Sequence, residues 1–375
     1  MFQTLITHFV TLEDPRCQGK IAHKLVDILV IAVCAVIAEA SPFDDIALDG
    51  RCKQEWLKGF LDLPHGIPSH DTFRRVLMLI DPDAFERCFL AWVHEVLRTE
   101  TTVVAEQIAI DGKTVRRSFD RRRGRSPLHL VSAYATERGV VLAQCATPDK
   151  RGELTVLPEI LDGLALGGAL VSLDALACRR EIAEAIVCRG GAYLVTLKAN
   201  QSKAYDEVRG WFAQHAFARG AALRPCLDAF DDGHGRLVRR RVFACPDVGV
   251  FATLTNWPGL TAVLASETIR SVNGTGKTTA ELRYFVSSAR MPPDLLAAAI
   301  RRHWAIENGL SWVLDVTFGE DDSRVRERSA ARNMAMLRRI ALDLVRTNTS
   351  LKASLKGKRK CAAWDDSFMT QLIAA

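Results

Sequence analysis

The sequence lacks several patterns that mark specialised classes of protein. Its ten cysteines form no Cys-x-x-Cys pair and no cysteine–histidine cluster at zinc spacing, which argues against structural zinc and favours a reducing compartment. Its most apolar stretch, residues 28–38, is shorter than the ~20 residues that cross a bilayer and predicts a buried helix. The N-terminus shows no signal-peptide pattern, so we expect a cytoplasmic protein with no membrane partner.

Neither sign of charge dominates the chain. Among 375 residues there are 50 lysines and arginines and 44 aspartates and glutamates, a formal charge of +6. The basic residues concentrate in three blocks, at residues 113–125, 324–346 and 352–360. Blocks of this kind suit a polyanion such as DNA, although each could equally be a solvated face or a disordered tail.

Residues 1–100 predict an N-terminal helical domain, with helices at 25–40, 44–61, 72–80 and 84–97. In the second of these helices, Ile46, Leu57 and Phe60 are candidate core residues. Pro68 forces a turn and Ser69 is a plausible N-cap for the third helix. Arg74 and Arg75 near the start of that helix suit a recognition helix of the helix-turn-helix type. They suit a plain helical bundle with solvated arginines equally well.

After residue 100 the pattern changes to strands. The order is strand (108–111), a hairpin of two strands (128–136 and 140–147), helix (153–164), strand (169–173), helix (179–187) and strand (193–197). This order predicts an α/β fold with a mixed sheet flanked by helices. We assign residues 101–199 to the first part of a core, 200–290 to a β-rich insertion, 291–346 to the helical remainder of the core, and 347–375 to a basic tail.

Two predicted strands end in an aspartate. Residues 108–117 read IAIDGKTVRR, in which an apolar triplet leads to Asp111, and residues 169–173 lead to Asp174. An Asp-Gly pair by itself more often makes a turn. Where two such strand ends are neighbours, however, their carboxylates converge at the edge of the sheet where open α/β proteins bind ligands.

A third carboxylate falls on the apolar face of a long predicted helix, residues 294–316. Leu296, Ile300 and Trp304 follow one another at spacings of four, and Glu307 continues their face. A carboxylate in such a position needs a partner. A salt bridge to Arg301, Arg302 or Lys198 would serve, and so would a metal ion.

Three acids far apart in the chain match the needs of phosphodiester chemistry. Two divalent cations can clamp the attacking and leaving oxygens of a phosphate. Mg²⁺ prefers a few carboxylates plus water and substrate oxygens to a full protein cage. We therefore expect two Mg²⁺ ions, with Mn²⁺ able to substitute.

Several segments resemble bacterial insertion-sequence transposases of the DDE type, and the H-repeat-associated group in particular. They include IAIDGKTVRRS, LHLVSAYA, DKRGELTVLPEIL, VSLDALACRREIAEAI, TLKANQ and RRHWAIENGLSWVLDVTFGEDDSR. The resemblance implies a ribonuclease H-like catalytic core, a β-rich insertion before the final glutamate, and Mg²⁺-dependent cutting and joining at transposon ends. It also implies that Asp111, Asp174 and Glu307 form the catalytic, metal-binding triad. The sequence departs from the family pattern at Gly152, Ser311 and Leu314.

The partner implied by the resemblance is double-stranded DNA, both the terminal inverted repeats and the target. We expect a nucleoid-associated homodimer on DNA, with phosphate contacts from basic residues close to the motifs. These residues are Arg74, Arg75, Lys113, Arg116, Arg117, Lys198, Arg301 and Arg302. Two alternatives stay open: a catalytically decayed transposase that only binds DNA, and a ribonuclease H-like nuclease that cuts without joining.

Overall fold

A computed structural model describes residues 2–99, 106–147, 149, 152–233, 236–272 and 277–374. The chain forms two compact units. The first comprises Met1–Val103, Gly112–Val156 and Ile306–Ala375, and the second comprises Val104–Asp111 and Leu157–Ala305. Within the described residues, no helix is both long enough and apolar enough to cross a membrane.

The first unit begins with helices, of which the sequence predicts all but the first and gives the third and fourth as one. They are α1 (Phe2–Val10), α2 (Leu25–Ile37), α3 (Phe43–Cys52), α4 (Gln54–Leu57), α5 (His70–Leu79) and α6 (Pro82–Thr99). The apolar helix α2 is almost entirely buried, as its composition predicts. Ser69 caps α5 by accepting a hydrogen bond from the Thr72 backbone N–H. Ile46 and Leu57 lie in the core, whereas Phe60 is 42% exposed and its predicted core position is wrong.

The first unit also contains a small sheet and three C-terminal helices. Its strands are the end of β1 (Gln107–Val115), β2 (Leu128–Ala135) and β3 (Val140–Thr147), in the order β3-β2-β1. After these come α12 (Arg328–Thr347), α13 (Leu355–Trp364) and α14 (Asp366–Ala374). Helix α12 packs against α2 and α5, and its alanines meet Leu128 and Leu130 of β2 in the core.

The structure corrects two predictions about basic segments. Residues 355–374 form packed helices and not a basic tail, because Phe368, Met369 and Leu372 are buried. In the block at 352–360, Lys358 and Arg359 are buried and donate to backbone carbonyls. In the block at 324–346, buried residues include Arg338 and Arg339. Much of the charge in these two blocks is therefore used inside the protein.

The second unit is built on a mixed sheet. Its strand order is the beginning of β1, then β4 (Leu170–Leu173), β5 (Ala192–Leu197), β9 (Thr278–Ser287), β8 (Ala262–Val272), β7 (Arg236–Ala244) and β6 (Leu227–Gly233). β1, β4 and β5 run parallel, and the other neighbours are antiparallel. The helices of this unit include α8 (Arg180–Cys188), α9 (Ser202–His215) and α10 (Pro293–His303), while α7 (Glu153–Asp162) begins in the first unit.

The predicted order of strands and helices from 108 to 197 is confirmed, and so is the mixed α/β class. Residues 200–290 are rich in strands, as predicted, but they also contain α9, which the pattern did not indicate. The strands of this segment extend the sheet, because β9 pairs directly with β5. Leu194, Leu264, Phe285 and Leu296 share the core under this junction.

Candidate functional site

The second unit brings Asp111 and Asp174 to the same end of the paired segment of β1 and β4. The parallel register of β1 and β4 finishes with Ile110 opposite Leu173. Each aspartate directly follows its strand's last paired residue, so the two carboxylates leave neighbouring strands at the edge where α/β sheets bind ligands. The structure thus meets the condition under which the sequence analysis expects the two carboxylates to converge.

β1 does not end at Asp111, contrary to the sequence-based prediction. It continues through Gly112 to Val115 within the first unit. The Asp-Gly pair therefore makes no turn. The chain stays extended because side chains pack on both faces of residues 112–115, a histidine–glutamate pair on one face and a cluster of carboxylates on the other.

The histidine–glutamate pair is buried against Gly112 and Thr114. His129 Nε2 lies 2.7 Å from Glu153 Oε1, and His129 Nδ1 lies 2.8 Å from Thr114 Oγ1. A Cβ atom on Gly112 would lie only 2.6 Å from His129 Nε2. Glycine is needed here for a close approach of side chains. We did not predict this pair from the sequence, although both members lie in segments that carry the family resemblance, LHLVSAYA and DKRGELTVLPEIL.

The other face holds Lys113 in the cluster of carboxylates. Its Nζ atom lies 2.6 Å from Asp315 Oδ1, 3.0 Å from Glu320 Oε2 and 3.5 Å from Asp321 Oδ1. Glu320 is fully buried and also accepts a hydrogen bond from Arg339. The prediction that Lys113 contacts a DNA phosphate is therefore corrected: its ammonium group is enclosed and satisfied by acids of its own chain.

Asp174 is held in its charged form by its surroundings. Burial opposes ionisation, but the backbone N–H of Ala175 and the ammonium of Lys198, 3.4 Å away, outweigh it, so the pKa of Asp174 is lowered. Asn200 Nδ2 donates to the Ala175 carbonyl at 2.7 Å. The TLKANQ segment thus supplies both the counter-charge for Asp174 and a bond that fixes the loop behind it.

A histidine at the end of α10 packs behind β4. His303 Nδ1 lies 3.0 Å from Ser172 Oγ, and Ser172 Oγ also accepts a hydrogen bond from Gln107 Nε2. Burial lowers the pKa of His303 to about 4, with Asp174 opposing and Arg283 adding to the shift. His303 is therefore neutral at physiological pH. Its contacts support the strand that ends at Asp174.

Glu307 does not lie on a buried face, and the predicted unbroken helix is wrong. α10 ends at His303, a π-helical turn occupies Ile306–Ser311, and α11 spans Trp312–Val316. A π turn holds more residues than an α turn, so it rotates the residues after it about the helix axis. Within this turn Ile306 and Leu310 are buried, and Glu307 is exposed. Such turns are found frequently at functional sites.

Most of the other residues predicted to contact DNA are exposed or half-buried in ion pairs. Arg116 lies 3.2 Å from Asp321, Arg117 3.1 Å from Asp322 and Arg301 3.0 Å from Asp231. Arg74 pairs with Asp71, Arg75 is exposed, Lys198 is exposed beside Asp174, and Arg302 is half-buried. Surface pairs of this kind contribute little stability. A phosphate can therefore replace the carboxylate at small cost.

The donor set suits a hard divalent cation only in part. Asp111 and Asp174 supply the carboxylate oxygens that Mg²⁺ prefers. Within the part of the chain that is described, however, no three His, Cys, Asp or Glu side chains come close enough together to hold a metal ion. The two aspartates by themselves therefore do not make a complete site for such an ion.

Comparison with known proteins identifies the family of this chain. Residues 104–344 match the family model described as Transposase DDE domain, and residues 6–93 match the one described as DDE_Tnp_1-associated. The H repeat-associated putative transposase YhhI of Escherichia coli strain K12 is 35% identical over 99% of this chain and 97% of its own length. The putative transposase YncI of Escherichia coli O157:H7 is 36% identical over 100% of this chain and 95% of its own length.

A solved piggyBac transposase synaptic complex with hairpin DNA covers 100% of this chain and 80% of its own, with 9% identity and a TM-score of 0.41. A similarity of that size supports no conclusion. The family model and the full-length relatives, in contrast, identify the family. The chain belongs to the family of DDE transposases.

Proposed function

We propose that this family member cleaves DNA at the ends of an insertion sequence and joins those ends to target DNA. The observation that carries the proposal is the register of β1 and β4, which sets Asp111 and Asp174 next to each other, each one residue beyond the last β1–β4 pair. Membership of the DDE transposase family supports the reaction class.

Asp111, Asp174 and Glu307 would hold Mg²⁺, with Mn²⁺ able to substitute. Two such ions, when bound, stabilise the attacking and leaving oxygens of the phosphodiester. The parallel strands β1, β4 and β5, together with the β2–β3 hairpin, support a ribonuclease H-like core. Glu307 lies on a π-helical turn and is exposed, which leaves its carboxylate accessible to solvent.

The residues around Asp174 keep its carboxylate ready for this role. Lys198 lowers the pKa of Asp174 and so maintains the negative charge that attracts a cation. The ammonium of Lys198 is itself about half exposed and is available to a DNA phosphate. His303, neutral and packed on Ser172, keeps the end of β4 in place without adding positive charge.

Double-stranded DNA is the proposed partner, bound by a homodimer. Exposed and partly exposed cations would contact backbone phosphates, which set affinity and register without reading sequence. These residues are Arg74, Arg75, Arg116, Arg117, Lys198, Arg301 and Arg302. Because their present partners are mostly surface carboxylates, binding exchanges one ion pair for another.

The test is cleavage and joining of a plasmid that carries the inverted repeats flanking the gene. We expect Asp111→Asn, Asp174→Asn and Glu307→Gln each to lower the cleavage rate by about 100-fold or more, since metal stabilisation amounts to several kcal/mol. DNA binding should persist in all three. Asp206→Asn, a substitution of an exposed acid on α9, is the matched control and should retain activity.

Three results would overturn parts of the proposal. Undiminished cleavage by Asp111→Asn would remove the metal site. Salt-sensitive DNA binding by the wild-type protein without cleavage in Mg²⁺ or Mn²⁺ would identify a decayed transposase. Cleavage without joining of pre-cleaved ends would identify a nuclease.

A further inference from the structure

A cavity of about 790 Å³ lies in the first unit between α5 and the segment that precedes α12. Phe43, Met78 and Val325 supply apolar surface to its lining. Four arginines from three separate parts of the chain also line it, namely Arg74, Arg123, Arg324 and Arg326. Both α5 and the basic loop after β1 therefore line this cavity, although the sequence predicts them as separate DNA contacts.

Three of the four carboxylates that line the cavity are already used by the fold. Asp120 accepts hydrogen bonds from two backbone N–H groups, and Glu327 caps α12. Asp322 lies 3.1 Å from an arginine of the β1 loop. By contrast, Arg324 and Arg326 are exposed and make no hydrogen bond or ion pair with any residue that the structure describes. The fourth carboxylate, Asp44, is exposed and lies 3.6 Å from His70 Nδ1. The two arginines outnumber it, so the net charge left over at the cavity is positive.

A buried arginine beside the cavity adds to this charge. Arg338 is 2% exposed, and its Nη2 atom donates to Ser41 Oγ at 3.3 Å, where Ser41 lines the cavity. Burial lowers the pKa of Arg338, and Glu320 offsets this only in part. A buried guanidinium is stabilised by a nearby anion. An anionic ligand in the cavity would supply one.

The lining indicates the class of ligand. A DNA duplex, whose major groove alone is about 12 Å wide, is too large to enter a cavity of this volume. A short single strand is not, and proteins bind single strands through cations that pair with phosphates and apolar or aromatic side chains that contact bases. Arg324 and Arg326 supply the first feature, and Phe43, Met78 and Val325 supply the second.

We propose that this cavity binds a short segment of single-stranded DNA, such as the overhang left when the two strands of an element end are cut at different positions. The proposal rests on the proposed function as a transposase. It assigns α5 a role as one wall of a strand-binding site, through Arg74, instead of a helix that reads the major groove.

The experiment compares a duplex that carries a short single-stranded overhang with the blunt duplex of the same sequence. The wild-type protein should bind the overhang duplex more tightly. Arg324→Ala/Arg326→Ala should lose this preference, with about tenfold weaker binding of the overhang duplex and a lower salt dependence, because about two phosphate contacts are removed. Its affinity for the blunt duplex should not change.

Two further variants complete the test. Arg51→Ala/Arg87→Ala removes two exposed arginines of the same unit that lie outside the cavity, and it should keep the preference. Val325→Trp keeps both arginines but fills the cavity, and it should lose the preference.

Equal wild-type affinity for both duplexes, or a preserved preference in Arg324→Ala/Arg326→Ala, would overturn the cavity proposal alone. No binding of either duplex by folded wild-type protein would instead overturn the proposed function.

Discussion

At the scale of single residues, Gly112 shows how a position next to a candidate catalytic acid can be restricted by its neighbours. His129 and Glu153 pack against it so closely that a Cβ atom would lie 2.6 Å from His129 Nε2. His129 is buried and is bonded on both ring nitrogens, so it has little freedom to move away. Any side chain at this position must shift β1 or break the pair.

We expect Gly112→Ala to lower the free energy of unfolding by about 1–3 kcal/mol, the usual penalty of overpacking a buried site. Urea unfolding followed by circular dichroism measures this change. Gly210→Ala is the control, because Gly210 lies within α9 with open space around it, and alanine there should be neutral or slightly stabilising. Equal stability of Gly112→Ala and wild type would show that the side chains of the histidine–glutamate pair can move aside at little cost in free energy.

At the scale of elements, the two C-terminal helices complete the core of the first unit. Phe368, Met369, Leu372 and Ile373 on α14 are buried. Arg359 on α13 donates to the carbonyl of Val36 at the end of α2. The segment predicted as a basic tail is therefore an integral part of this unit.

A chain that ends at residue 348 should not fold stably. Burial of four large apolar side chains contributes about 6–12 kcal/mol, which is comparable with the whole stability of a typical protein. We expect the truncated chain to be insoluble or to lack a cooperative thermal transition. Lys356→Ala/Lys360→Ala, which removes only exposed charge, should unfold like wild type. A folded truncated chain with weaker DNA binding would support the interpretation of this segment as a tail.

The π-helical turn at Ile306–Ser311 changes the pattern of burial along its element. A regular spacing of four predicts one apolar face from Leu296 to Leu314, and both of these residues are indeed buried. Between them the periodicity changes, so Trp304 and Glu307 are exposed whereas Ile306 is buried. A pattern based on 3.6 residues per turn cannot detect such a local change.

At the scale of the whole molecule, the formal charge of +6 does not show which lysine and arginine side chains are exposed and able to contact DNA. Lys113 and Arg116 are three positions apart in one basic block. The side chain of Lys113 is 11% exposed among three acids, whereas that of Arg116 is 81% exposed. Neighbouring cations in the sequence thus have different roles.

The two residues should respond differently to substitution. Arg116→Met should lower the slope of log affinity against log salt by about 1, because one phosphate contact is lost. Lys113→Met should leave that slope unchanged but lower the free energy of unfolding by about 3–5 kcal/mol, because it leaves buried carboxylates without their partner. DNA binding across a salt series and urea unfolding measure the two effects. A salt slope reduced by Lys113→Met in folded protein would restore its predicted role as a phosphate contact.

The sequence by itself determined the mixed α/β class and the order of strands and helices from 108 to 197, but it left open whether the strands that lead to Asp111 and Asp174 are neighbours. These features arise from local patterns of apolar residues and from rules on how successive strands connect. Only the tertiary structure decided that Gly112 makes room for His129 and Glu153, that Lys113 is enclosed by acids up to 208 positions away, and that the C-terminal segment is core. Contacts between residues so distant in the chain leave no periodic signal, because they depend on which surfaces meet when the elements pack.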